Sequence, residues 1–100
     1  MTPEKIIEVA RKYREFIINT FPRIHPQRMD GSKADSHLNL AEALCHYLDM
    51  CDHIVEYAKN PDTIGKANRH LGYLQGCLSA RGFFTLDELR NHNRPPESAP

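Results

Sequence analysis

Apolar residues in this chain recur at helical spacing in three separate stretches, and no stretch alternates apolar and polar residues as a half-buried strand requires. In the first, Ile6, Val9, Ala10, Tyr13, Phe16 and Ile17 fall at i, i+3, i+4 and i+7. Thr2 can cap this helix, Pro3 suits its first position, Glu4 favours its positive end, and Pro22 ends it. Residues 22–36, with Pro22, Pro26, Asp30-Gly31, Ser32 and Ser36, hold no period and read as a long loop. From about Ser36 to Lys59, Leu40, Ala41, Leu44, Tyr47, Leu48, Cys51, Ile54, Val55 and Ala58 form a broad stripe. Asn60-Pro61-Asp62 stops that helix and starts a third, with Ile64, Ala67, Leu71, Leu74 and Leu78 at heptad-like spacing and Gly82 at the C-cap.

The sharpest local signal comes next. Thr85-Leu86-Asp87-Glu88 places Thr at N-cap and Glu at N3, a capping box, while Phe84 and Leu89 take the positions of a hydrophobic staple. A short fourth helix over about 86–92 follows. The expected fold is all-α: a three-helix bundle with a short fourth C-terminal helix, one helical domain over 1–93 and a disordered Pro-rich tail over 94–100.

Composition limits what such a bundle does. Thirteen basic and thirteen acidic side chains cancel, which argues against a generally basic nucleic-acid binder. No apolar run approaches a membrane span, and Met1-Thr2-Pro3-Glu4-Lys5 does not lead into a secretory signal, so a cytoplasmic, membrane-free protein is expected. Cys45, Cys51 and Cys77 lack a Cys-x-x-Cys pair and read as reduced thiols. The neutrality is uneven. Residues 1–33 carry net +3, residues 34–62 net −5 and residues 63–94 net +3, an acidic second helix between basic segments.

Two constellations carry candidate chemistry. On the second helix Glu42, His46, Asp49, His53 and Glu56 form a polar stripe of the side chains a divalent metal uses. Glu42, His46, Asp49 and His53 are the candidate ligands of a metal- or nucleotide-binding protein, with His37 or His70 as a third-party metal donor; the competing reading is a hydrated polar face. On the third helix Gly65, Gly72, Gly76 and Ala80 cluster beside Arg69 and Tyr73. A mid-helix Gly costs about 1 kcal/mol relative to Ala, so something should use the missing side chains. Three uses stay open: close packing of helix one or four, a seam between copies of the chain, or a ligand groove anchored by Arg69, Tyr73 and Gln75.

Other signals are weaker. Lys66, Arg69, His70 and Arg81 fit phosphate binding but also plain surface charge. A helix-turn-helix reading fails on Asp87 and Glu88, which put the wrong sign near phosphates. Cys45 and His46 point about 100° apart on a helix, and Ser79 has no arranged base, so catalysis and cofactors are not expected.

The run Lys66-Ala67-Asn68-Arg69-His70-Leu71-Gly72-Tyr73-Leu74-Gln75-Gly76, continuing to Thr85-Leu86-Asp87-Glu88-Leu89-Arg90-Asn91-His92-Asn93, resembles small, largely uncharacterised proteins of tailed bacteriophages and prophages. Their C-terminal half reads approximately Lys-x-x-Arg-x-Leu-Gly-x-x-Gln-Gly, then Gly, then Thr-x-Asp-Glu-Leu-Arg-x-His-Asn. After Arg69 the resemblance leads one to expect Trp, where this chain has His70. It implies a phage accessory protein in the bacterial cytoplasm that binds a host protein, such as a host-defence component, and supplies no reaction.

Overall fold

The computed structural model describes residues 1–95, and its regular elements are helical. Helix α1 spans Pro3–Thr20, α2 Leu40–Ala58, α3 Ile64–Ala80 and α4 Leu86–Asn93. Two 3₁₀ turns, Asp35–His37 and Pro61–Thr63, precede α2 and α3. The architecture is the expected all-α bundle with a short fourth helix; the expected disordered tail, from residue 96 on, lies outside the described residues.

Local chemistry sets the boundaries. Thr2 Oγ1 accepts the Lys5 N–H and Pro3 opens α1, as the sequence predicts. Helix α2 begins four residues later than expected. Asn39 accepts the Glu42 N–H at 2.8 Å, and Glu42 Oε1 accepts the Asn39 N–H at 3.0 Å, a second capping box. The box at Thr85 and Glu88 forms as predicted. Helix α3 ends in a Schellman turn: Gly82 sits at φ +81°, its N–H bonds Ser79 O, and the Phe83 N–H bonds Leu78 O.

Helix α2 packs against both α1 and α3, and α4 rests on α1. One core unites Ile6, Val9, Tyr13 and Ile17 of α1 with Leu44, Tyr47, Leu48, Cys51 and Ile54 of α2 and Leu71, Leu74 and Leu78 of α3. The loop before α2 is tied down at two points. The Gln27 N–H bonds Cys45 O at 3.0 Å. Arg81 Nη2 bonds the carbonyls of Asp35 and Leu38, while its Nε reaches Asp35 Oδ2 and the Tyr47 hydroxyl, which donates to Asp35 Oδ1 at 2.6 Å. Arg81 therefore closes the end of the core; it is not free surface charge.

Candidate functional site

Helix α3 serves two sides. Its Leu71, Leu74 and Leu78 stripe is buried, and its opposite strip of Gly65, Arg69, Gly72, Tyr73, Gly76 and Ala80 faces solvent. A Cβ added at Gly72 or Gly76 would meet nothing within 4 Å. This corrects the expectation that α1 or α4 packs there: both helices meet α3 elsewhere, at Gln75, and Gly72 and Gly76 bring no backbones together within the chain. Tyr73 is 52% exposed in the same strip.

Gln75 belongs elsewhere. It is buried, and its Nε2 donates to the Tyr13 hydroxyl at 2.9 Å and to Asn93 Oδ1 at 2.8 Å. Asn93 Nδ2 donates back to Gln75 Oε1 at 3.2 Å, and the Tyr13 hydroxyl lies 2.8 Å from His92 Nδ1. Because Tyr13 accepts from Gln75, its proton is free to point at His92 Nδ1, which puts the proton of the neutral imidazole on Nε2. Burial and the Lys12 charge hold the His92 pKa below its ordinary value, consistent with that role. Burial raises the Tyr13 pKa to about 12. The rings of Phe16, Phe84 and His92 complete the clamp, with Phe84 centroids 5.0 Å from Phe16 and 5.1 Å from His92. Gln75, His92 and Asn93 thus dock α4, and Gln75, expected beside Arg69 and Tyr73, does not face the open strip.

The polar stripe of α2 divides among three tasks. Glu42 is committed to the capping box, and Glu56 pairs with Lys59. His46, Asp49 and His53 line a cleft of about 300 Å³ between α2 and α3 that also takes in Lys66 and His70 of α3 and Arg28 of the loop. His46, Asp49 and His53 thus meet His70, one of the expected third donors; His37 is not among the lining residues. Among the described residues, no three His, Cys, Asp or Glu side chains stand where they could hold a metal ion. His46 Nδ1 is buried without a hydrogen-bond partner, and burial lowers its pKa.

The three cysteines are free thiols, and burial pushes the Cys51 thiol up to about 12, which makes it a poor nucleophile. No helix among the described residues is long and apolar enough to cross a membrane. Comparison with protein-family models, curated proteins and solved structures returns no match. Fold and sites together define an all-α bundle with an open small-residue helix face and a separate histidine-rich cleft.

Proposed function

We propose that this chain is a small, non-catalytic binding protein that seats a partner helix on the open strip of α3, with Gly72 and Gly76 at its centre and Arg69 and Tyr73 beside them. The resemblance to small phage proteins makes a host protein in the bacterial cytoplasm, such as a host-defence component, the partner class. A second copy of the chain meeting the same strip is the homo-oligomeric form of the same idea. One observation carries the reading. The strip gives up helix propensity at two positions where the fold leaves open space, and close approach of a partner from outside the chain is the physical use of such a pair.

The test uses Gly76→Leu, whose Cβ enters open space on the exposed strip. The variant should keep its helicity and lose either self-association by light scattering or a protein captured from bacterial lysate. Unchanged mass together with unchanged capture sinks the reading.

A second reading, a metal- or nucleotide-binding protein using the polar face of α2, is favoured by the meeting of His46, Asp49 and His53 with His70 in one cleft. Native mass spectrometry of the purified chain reports a bound metal or nucleotide directly.

A further inference from the structure

The α2–α3 cleft is lined by groups of unusual balance. Arg28 and Lys66 bring two permanent positive charges to it, and Asp49 brings the single carboxylate. Asp49 Oδ2 lies 3.3 Å from His53 Nδ1, a contact that becomes an ion pair only with a protonated imidazole. Lys66 Nζ sits 4.6 Å from the centroid of the Tyr57 ring, and that ring lies 5.3 Å from the His70 ring. Cation–π contact of this kind holds an ammonium near a ring without neutralising it. Arg28 makes no side-chain hydrogen bond or ion pair among the described residues. The Gln27–Cys45 backbone bond carries its loop across α2 beside the cleft.

The imidazoles are set in a defined way. His53 Nδ1 lies 2.8 Å from Asp49 O, and His70 Nδ1 lies 2.8 Å from Lys66 O. A carbonyl only accepts, so each Nδ1 carries the hydrogen and Nε2 is the nitrogen left to gain a proton or meet a ligand. His46 Nδ1 is buried with no partner at all. An unpaired buried polar atom costs free energy unless something satisfies it.

Two unneutralised cations, Arg28 and Lys66, converging on one cleft suit an acceptor-rich anion. A metal ion fits less well: Arg28 and Lys66 repel it, and the required three donors do not converge among the described residues. We propose that the cleft binds a phosphoryl group, held by Arg28 and Lys66, with His46, His53 and His70 lining it and the Nε2 atoms of His53 and His70 donating only in the imidazolium form. The proposal rests on the second reading above, that the polar face of α2 takes a ligand. Arginine supplies a planar fork matched to phosphate oxygens and lysine a point charge. The charged and titratable groups facing the ligand are Arg28 from the loop, His46, Asp49, His53 and Tyr57 from α2, and Lys66 and His70 from α3. Among the groups that titrate near neutrality, protonation of the imidazoles adds positive charge, so affinity for an anion rises as pH falls.

The test is a titration of the full chain, followed by the imidazole resonances of its histidines, at pH 7.5 and pH 6.0. The probes are inorganic phosphate, sulfate, adenosine monophosphate, adenosine and Zn²⁺. Sulfate keeps its charge across this range and so separates protonation of the protein from that of the ligand. Phosphate and sulfate should shift His46, His53 and His70 saturably, leave His25 still, and bind more tightly at pH 6.0. Arg28→Gln and Lys66→Gln should each weaken binding by about tenfold. If adenosine monophosphate binds more tightly than phosphate while adenosine does not bind, the source is a small phosphorylated ligand; equal affinities point to free phosphate. Zn²⁺ binding with no response to either anion overturns the phosphoryl assignment and leaves the second reading standing. Silence from every probe overturns both, and anion shifts unchanged in the Arg28→Gln, Lys66→Gln double variant overturn the assignment.

Discussion

Gln75 joins three elements through one side chain, since its amide reaches Tyr13 on α1 and Asn93 on α4 from its own place on α3. Replacing it with Leu keeps approximate bulk but leaves the Asn93 amide and the Tyr13 hydroxyl short of partners. Gln75→Leu should lower unfolding free energy by about 1–3 kcal/mol, read from urea denaturation, with the largest gain in amide exchange on α4. His92, in the same network, gives this region a pH response, and His46 in the cleft adds to it. Both have folded-state pKa values below their ordinary 6.5, so the unfolded chain takes up these protons more readily than the folded one. Stability is therefore full above about pH 6.5, falls as pH drops below it, and stops falling from this cause below the lowered folded values. In buffer free of phosphate and sulfate, the urea midpoint should be lower at pH 5.5 than at pH 7.5. His92→Phe should shrink the difference. The role of Gln75 was partly legible: it falls four residues after Leu71 and one after Leu74, on the edge of the Leu stripe, and a polar residue there needs a buried partner. What spacing does not carry is that the partners are Tyr13 and Asn93, far off in the chain.

Two kinds of glycine end up in and after α3, and they respond oppositely to the same change. Gly82 occupies positive φ in the turn that ends the helix, and Gly82→Ala should cost about 1–2 kcal/mol. Gly72 and Gly76 lie in ordinary helix beside open space, so Gly72→Ala and Gly76→Ala should each raise stability by roughly 0.5–1 kcal/mol. Thermal unfolding of the three variants checks both signs; destabilisation by Gly76→Ala would mean that the fold itself uses the strip. Caps were the most readable part of the elements, because a capping box is local. Thr85→Ala should cost about 1 kcal/mol and loosen α4 first. The box at Asn39 and Glu42 is the exception. Glu42 also fits the period of the polar stripe, and only the fixed start of α2 decides between ligand and cap.

At the scale of the whole molecule, the uneven charge of a neutral chain acquires locations. Arg14 of α1 meets Asp52 of α2 at 2.8 Å, and Arg81 meets Asp35 at 3.3 Å, so part of the attraction between basic and acidic segments operates inside the bundle. Arg14 and Asp52 are half exposed, where such pairs contribute at most about 1 kcal/mol; the pair orients α1 on α2 more than it stabilises them. The amphipathic periods foretold the bundle because three buried stripes have few other ways to meet. The cleft needed the loop's path over Cys45, which no local pattern encodes. The central claim is that the open strip of α3 exists for contact with another molecule. It is tested most directly by immobilising wild-type and Gly76→Leu chains and exposing both to one bacterial lysate that contains labelled free chain. The wild type should retain a protein, either the labelled chain or a host component, that the folded variant loses by about tenfold or more. Equal retention by the two, or no retained protein on the wild type, contradicts the claim.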